Sequence, residues 1–212
     1  CDKMIRTWIA DITPLLDSEV YEQYYGKVPG FRQEKADHIK DSRKRAQSIG
    51  AWILYEKMCE RYKLSSENLY NLSHSGDYVL CSVEDSGEKD IKLGCDIEEI
   101  KKLHLKLIER YFLKNEKDYI LEQTTEEERK EAFYRYWVLK ESFMKATRRG
   151  MGLGLDTFEI QIPQSGEPRL IGMPKSVEGA YYFKEYSLEI PYRICVCATE
   201  RMFAEKLQKV EL

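Results

Sequence analysis

Leu93-Gly94-Cys95-Asp96-Ile97-Glu98 is a short segment in which apolar and polar residues alternate. A period of two residues predicts a half-buried β-strand, with one face formed by Leu93, Cys95 and Ile97. Gly94, Asp96 and Glu98 belong to the other face, so both carboxylates project from the same side of the strand. Carboxylates placed in this way are close enough to bind one hard cation. On its own, the pattern is also typical of a solvated strand face.

A second segment, Trp137-Val138-Leu139-Lys140-Glu141-Ser142-Phe143-Met144-Lys145, predicts a helix. Phe133 and Trp137 lie at helical spacing, and Glu141 lies one turn before Lys145. A Glu–Lys pair at this spacing is commonly a surface pair that contributes only about 0.2–0.5 kcal/mol. Three carboxylates, a divalent cation and a lysine are nevertheless the groups that cleavage of a phosphoanhydride requires.

A third segment, Asn71-Leu72-Ser73-His74-Ser75-Gly76, comes just before the predicted strand 78–83. A histidine flanked by hydroxyl groups at the entrance of a strand can hold a phosphate. The alternative is that His74 is an ordinary core histidine.

The three segments together, in this order and at this spacing, resemble the 4′-phosphopantetheinyl transferases of the surfactin-synthetase-activating type. The resemblance runs from about residue 5 to about residue 200. It implies an α+β fold with two similar subdomains, residues 1–93 and 94–212, which are related by a pseudo-twofold axis. The active site is then expected in the cleft between the subdomains.

The resemblance also implies a reaction and its catalytic groups. The expected activity is the Mg²⁺-dependent transfer of 4′-phosphopantetheine from coenzyme A to a serine of an apo acyl or peptidyl carrier protein, which leaves 3′,5′-ADP. Asp96, Glu98 and Glu141 match the metal ligands, and a site made of carboxylates, phosphates and water suits Mg²⁺. Glu141, or a water that it orients, is expected to accept the serine proton. Lys145 is expected to hold the pyrophosphate, and Lys140 to brace the metal carboxylates.

The 3′-phosphate of coenzyme A requires a basic pocket, which the resemblance assigns to Arg32, Lys35, Arg45, Ser73 and His74. Arg32 and Lys35 share a helical face, although a solvated helix face is the alternative for each basic residue. The family's Gly-Lys-Pro segment, which helps to bind adenine, has no counterpart before Asn71. Either that loop is deleted in this protein, or residues are missing from the sequence at this point.

Carrier docking is expected beside the second half of the chain. Its apolar anchors would be Leu105, Ile108, Tyr111, Phe112 and Leu113, unless these residues fill the core. Basic neighbours suit an acidic carrier surface; they are Lys101, Lys102, Lys106 and Arg110. The pathway that the carrier serves is left open.

Composition limits the other classes of function. The formal net charge is −3, which argues against a nucleic-acid protein that depends on overall basic charge. No apolar run reaches the roughly 20 residues of a membrane span. The six cysteines lack zinc-finger or CxxC spacing, so we expect buried, reduced thiols and a cytoplasmic protein. A lipoprotein role for Cys1 is disfavoured by the strand-like Met4–Ala10, and we expect further residues before Cys1. Two halves in one chain make a monomer sufficient.

The remaining periodicity predicts the other elements. A helix is expected over 33–61, and a β-hairpin over 78–83 and 91–98 around Asp85-Ser86-Gly87-Glu88. The second half is expected to contain helices at 105–111, 114–121 and 125–146, and strands near 158–162, 180–186 and 192–197.

Overall fold

The computed structural model describes residues 3–212, which form two compact units. The first unit contains the residues up to Lys89 together with Ala204–Leu212, and the second contains Asp90–Phe203. Each unit combines helices with small sheets, so the predicted α+β class is confirmed. The two units meet at residues 89 and 90 of the chain, whereas the sequence predicted a boundary at residue 93. The last nine residues belong to the first unit, and the sequence did not predict this. The pseudo-twofold relation of the halves stays a prediction.

The described part of the first unit has one four-stranded sheet and three α-helices. Its elements are β1 (Ile5–Asp11), α1 (Ser18–Tyr25), α2 (Gly30–Asp37), α3 (Ser42–Tyr62), β2 (Tyr70–Ser75) and β3 (Tyr78–Glu84), with a final strand at Gln208–Val210. The strand order is β2, β3, β1 and the final strand, which runs parallel to β1, whereas the other pairs are antiparallel. The strand β2 therefore lies at an edge of the sheet.

The predicted single helix over 33–61 is wrong, because the chain breaks between α2 and α3. Asp41 caps the start of α3, since its Oδ1 accepts the backbone N–H of Lys44 at 2.8 Å. Arg45 donates from Nη1 to the carbonyl oxygens of Ile39 and Lys40 at 3.0 and 2.8 Å. The capping aspartate and the guanidinium group bound to these carbonyls together stabilise the turn that connects α2 to α3.

The predicted hairpin between 78–83 and 91–98 is also wrong. The strand β3 pairs instead with β2, and Ser75 of β2 faces Tyr78 of β3 across the two-residue turn Gly76-Asp77. Gly76 has a φ of 53°, a conformation that tight hairpin turns require and glycine adopts without strain. Alternation along a sequence identifies strands, but it does not identify their partners.

The second unit contains the remaining elements. They are β4 (Leu93–Glu99), α4 (Leu105–Tyr111), α5 (Lys114–Leu121), α6 (Glu126–Thr147), β5 (Glu159–Gln161), β6 (Arg169–Gly172), β7 (Tyr182–Tyr186) and β8 (Tyr192–Ala198), so the final strand of the chain is β9. A three-stranded sheet has the order β4, β8, β7, and β5 pairs with β6. The predicted bounds of α4 and α5 are confirmed, and α6 begins after Thr125, whose side chain forms a capping box with Glu128.

The long helix α6 packs directly on β4 because Gly94 has no side chain. A Cβ atom at Gly94 would lie 2.2 Å from the carbonyl oxygen of Ser142 and 2.4 Å from the backbone nitrogen of Ala146. Both atoms belong to the backbone of α6, so neither can rotate away. Glycine at this position therefore allows the close approach that brings Asp96 of β4 beside α6.

Other predictions concern the cysteines and membrane insertion. In the described part of the chain, Cys59, Cys81, Cys95, Cys195 and Cys197 form no disulfide, and all except Cys59 are buried. Cys1 lies outside the described residues. Among residues 3–212, no helix combines the length and the apolar character that crossing a membrane requires.

Candidate functional site

Asp96 and Lys145 form an ion pair between β4 and α6. The ammonium nitrogen of Lys145 donates to Oδ1 of Asp96 at 2.8 Å and to the carbonyl oxygen of Cys95 at 3.0 Å. The Asp96 side chain is almost fully buried, whereas that of Lys145 is partly exposed. Burial lowers the pKa of Lys145, but the charge and hydrogen bond of Asp96, together with Cys95 and Glu141, outweigh this effect, and the pKa is raised overall. Lys145 is therefore a fixed positive charge beside a buried carboxylate.

Glu141 adds a second carboxylate one helical turn before Lys145. Its pKa is raised, first by burial and second by the negative charge of Asp96, while Lys145 acts in the opposite direction. The two carboxylates thus lie close enough to repel each other. This excess of negative charge favours a bound cation and also makes Glu141 more basic than an exposed glutamate.

Glu98 lies two residues beyond Asp96 on the same face of β4, opposite Arg193 of β8. Among residues 3–212, no three histidine, cysteine, aspartate or glutamate side chains are grouped so that they could hold a metal ion. The donor set nevertheless fits Mg²⁺, which typically binds one or two carboxylates and takes its other ligands from water and substrate phosphates. Asp96 and Glu141 meet this requirement, and Glu98 stays a predicted third ligand.

Lys140 does not brace the predicted metal ligands. Its ammonium nitrogen lies 2.7 Å from both carboxylate oxygens of Glu116 on α5 and 2.9 Å from the carbonyl oxygen of Phe158. Both side chains are fully buried, with 1% and 0% exposure. Burial raises the pKa of Glu116 and lowers that of Lys140, and the charge of the partner opposes this effect in both. Each side chain therefore needs the other in order to stay charged. Lys140 therefore joins α6 to α5 inside the core.

A second group of predicted residues meets in the first unit. Arg32 and Lys35 of α2 and His74 of β2 line one cavity of about 270 Å³, to which α3 contributes Lys44 and Ser48. Arg32 is buried, and burial lowers its pKa. Among the described residues, the Nε atom of Arg32 and the Oγ atom of Ser48 have no hydrogen-bond partner. Buried polar atoms normally have partners, so this cavity is suited to a polar ligand.

Two other predicted residues lie elsewhere. Arg45 lines a different cavity, together with Tyr21 and Asp37, and donates to the turn before α3. Ser73 is buried and alternates with His74 along β2, so the two side chains belong to opposite faces of the sheet. The structure therefore brings together Arg32, Lys35 and His74 without the side chains of Arg45 and Ser73.

The predicted carrier surface divides into buried and exposed residues. Ile108 and Phe112 are buried in the core of the second unit, so the alternative considered for them is correct. Leu105 is 58% exposed, and Lys101, Lys102, Lys106 and Arg110 are exposed as well. Leu105 and these basic residues are the exposed part of the predicted surface.

The chain is similar in sequence to proteins of a known family. Residues 92–197 match the family model of the 4′-phosphopantetheinyl transferase superfamily. The matching segment is half of the chain, and it contains Asp96, Glu98, Glu141 and Lys145. The chain belongs to this superfamily.

Its relatives include three named 4′-phosphopantetheinyl transferases. Sfp of Bacillus subtilis is 33% identical over 141 residues, which cover 66% of this chain and 59% of Sfp. The psf-1 protein of Bacillus pumilus is 36% identical over 140 residues, which cover 66% of this chain and 56% of the relative. HetI of Nostoc is 31% identical over 153 residues, which cover 71% of this chain and 56% of the relative. The chain therefore spans somewhat more than half the length of the curated relatives it matches.

The sequence did not identify the structural roles of two residues, Glu116 and Gly94. Glu116, the partner of Lys140, looks like any surface glutamate of an amphipathic helix. Gly94 gave a usable signal, because a glycine in the interior of a strand often marks a close approach of another backbone.

Proposed function

We propose that this protein transfers 4′-phosphopantetheine from coenzyme A to the serine hydroxyl of an apo acyl or peptidyl carrier protein. The observation that carries the proposal is the group formed by Asp96, Glu141 and Lys145 on β4 and α6. This group combines clustered carboxylates with a fixed ammonium group, which suits a pyrophosphate and a divalent cation. The relatives named as 4′-phosphopantetheinyl transferases support the same reaction.

The reaction forms one phosphorus–oxygen bond and breaks another. The serine oxygen bonds to the β-phosphorus of coenzyme A, and the bond from that phosphorus to the bridging oxygen breaks. The electron pair leaves with 3′,5′-ADP, and the serine proton goes to Glu141 or to a water that Glu141 orients. The raised pKa of Glu141 suits this role, because a more basic carboxylate accepts a proton more readily. Lys145 stabilises the negative charge that grows on the departing phosphate.

Asp96 and Glu141, with Glu98 as a third ligand, are proposed to hold Mg²⁺. When bound, Mg²⁺ neutralises negative charge on the pyrophosphate. The 3′-phosphate of coenzyme A is assigned to the cavity of Arg32, Lys35 and His74. Among the described residues, the Nε atom of Arg32 and the Oγ atom of Ser48 are buried there without a hydrogen-bond partner. Leu105 and the basic residues around it are proposed to contact an acidic carrier protein. One chain carries both groups of residues, so a monomer is sufficient for the reaction.

The proposal is tested by incubating the protein with coenzyme A, Mg²⁺ and an apo-carrier and then weighing the carrier. We expect the mass of the carrier to increase by one phosphopantetheine group. Asp96→Ala should abolish the increase, whereas Asp90→Ala, an acidic change outside the cluster, should preserve it. A wild-type protein that binds the carrier without modifying it would instead be a binding module. If transfer continues both without Mg²⁺ and in the Asp96→Ala variant, the site assignment is contradicted.

A further inference from the structure

The second unit contains a cavity of about 460 Å³, here called the β6–β7 cavity. Residues at the start of β6, at the start of β7 and after the end of β8 line it. A volume of this size lies within the roughly 300–1,000 Å³ that is typical of small-molecule sites. The lining that the argument uses consists of Glu167, Arg169, Leu170, Tyr181, Tyr182 and Arg201.

The hydroxyl group of Tyr181 is a buried donor in this lining. Tyr181 is 6% exposed, and within the described residues its hydroxyl oxygen has no hydrogen-bond partner. Its ring is fixed, because it meets the ring of Phe143 on α6 edge to face with centroids 4.9 Å apart. Buried polar groups normally have a partner, because a buried donor without one is costly. A ligand in the β6–β7 cavity can supply the missing acceptor.

Two arginines add positive charge to the same cavity. Nη2 of Arg169 donates to Oε1 of Gln161 at 2.6 Å, and Nη1 of Arg201 donates to Oε2 of Glu167 at 3.2 Å. A guanidinium group has five N–H donors, and each of these contacts occupies one of them. Among residues 3–212, these are the hydrogen bonds that the two arginines make, so their other donors are available to a ligand.

Arg201 is held in place by stacking as well as by charge. Its guanidinium carbon lies 4.3 Å from the ring centroid of Tyr182. The side chains of Arg201 and Glu167 are 67% and 61% exposed, so water screens their ion pair and a ligand can compete for the arginine. Two arginines and one glutamate leave an excess of positive charge in the cavity.

We propose that the β6–β7 cavity binds a small organic anion that carries one carboxylate or phosphate group. Both groups accept paired hydrogen bonds from arginine, and the hydroxyl of Tyr181 adds a further donor. Leu170 and the ring of Tyr182 supply apolar surface for the rest of the molecule. An inorganic ion would fill only a small part of about 460 Å³. This inference does not rest on the proposed function, because the cavity and the catalytic group use different residues.

The test is an NMR titration of the full chain with benzoate and with phenyl phosphate, which share a ring and differ in the anionic group. We expect saturable shifts of the backbone amide signals of Arg169, Tyr182 and Arg201 with at least one of these probes. The probe that binds more tightly identifies the preferred anionic group. Benzamide, the neutral counterpart of benzoate, should not shift these signals at the same concentrations.

Variants test the two kinds of donor. Arg169→Gln and Tyr181→Phe should each raise the Kd of the bound probe by about ten-fold, the effect of losing one hydrogen bond to a charged group. Lys175→Gln removes an exposed positive charge between β6 and β7 from a residue outside the lining, and it should leave Kd unchanged.

The Tyr181→Phe variant also reports on the hydroxyl group without a ligand. It keeps the ring that packs on Phe143 and removes only a buried hydroxyl, so its melting temperature should not fall below that of the wild type. A lower melting temperature would show that the hydroxyl already has a partner in the unliganded protein, and would contradict its role as a donor to the ligand.

Three further outcomes would overturn the inference. Amide signals that do not move with either probe at millimolar concentration would show that the cavity binds no such anion. Equal binding of benzamide would show recognition of the ring without the charge. Wild-type Kd in both Arg169→Gln and Tyr181→Phe would place the probe elsewhere. Inorganic phosphate that binds as tightly as phenyl phosphate would contradict the assignment of an organic ligand.

Discussion

Lys140 and Lys145 lie five residues apart on the same helix, yet their surroundings give them different roles. Lys140 is enclosed by Glu116 and the core, and it cannot reach a ligand without breaking a buried ion pair. Lys145 lies beside Asp96 and is partly exposed, so we propose that its charge acts on a bound pyrophosphate. The sequence motif shows both lysines, but only the packing around them separates the structural one from the catalytic candidate.

The first prediction concerns Lys145→Met. An ammonium group stabilises the charge that grows on the leaving phosphate more than it stabilises the bound substrate. We therefore expect kcat to fall by about ten-fold or more while KM for coenzyme A changes much less. Steady-state kinetics at saturating apo-carrier measure both values. Lys130→Met, a change on the same helix at a lysine that pairs with Glu127, serves as the control. A raised KM with unchanged kcat would make Lys145 a binding residue only.

The second prediction concerns Glu141→Gln. The pKa of folded Glu141 is raised by burial and by Asp96, so its ionised form destabilises the folded protein above that pKa. This destabilisation disappears as pH falls below the ordinary pKa of glutamate. The variant should therefore melt at a higher temperature than the wild type near pH 8 in a buffer that contains EDTA, and at the same temperature near pH 4.

The same variant should lose transfer activity by orders of magnitude. Adding Mg²⁺ at pH 8 should raise the melting temperature of the wild type more than that of Glu141→Gln. Ser142, its neighbour, is buried and hydrogen-bonded to Leu139, so the control is better placed on the exposed first turn of α6, as Glu127→Gln. A lower melting temperature for Glu141→Gln at pH 8 would contradict the argument from charge repulsion.

At the scale of elements, the contact between β4 and α6 depends on Gly94. Gly94→Ala places a methyl group against two backbone atoms of α6 that cannot move independently. We expect a loss of roughly 1–3 kcal/mol in the free energy of unfolding, together with reduced activity because Asp96 moves relative to Lys145. Urea denaturation measures the first effect. Gly152→Ala is the matched control, since a Cβ there meets no atom within 4 Å.

The contact between α5 and α6 depends on Glu116 and Lys140. Lys140→Met leaves a buried carboxylate without its partner, and we expect it to cost about 3–5 kcal/mol of folding free energy. Glu116→Leu together with Lys140→Met removes both charges and should cost much less than the single change. Chemical denaturation of the four proteins of this cycle provides the measurement. An additive double variant would show that the two side chains do not interact.

Sequence reasoning succeeded for elements that a local period defines. The helices at 105–111 and 114–121 have the predicted bounds, because apolar spacing and caps act within a few residues. It failed for β2, whose segment Tyr70–Ser75 was expected to be only the entrance to a strand. It also failed for the partner of β4, because strand pairing joins residues far apart in sequence. The sequence did not predict the contact of Glu116 with Lys140 for the same reason, because the two residues are 24 positions apart.

At the scale of the whole molecule, the sequence predicted the fold class and most of the residues that meet. Asp96, Glu141 and Lys145 lie together as the motifs suggested, and so do Arg32, Lys35 and His74. Arg45 does not join them, because its side chain donates to carbonyl oxygens of the turn before α3. Ser73 does not join them, because its side chain belongs to the opposite face of β2 from His74. A motif identifies which residue types a reaction needs, whereas the direction of a side chain follows from the backbone that carries it.

The strand β9 has a consequence for the way this protein is made. Protein synthesis delivers the chain from its N-terminus, and compact units tend to fold as soon as their residues have emerged from the ribosome. All residues of the second unit precede β9, so that unit is complete while the first still lacks one strand of its sheet. The unit whose synthesis begins first is therefore completed last. One edge of β1 (Ile5–Asp11) has no strand partner until β9, about 200 residues later in the chain, has been synthesised.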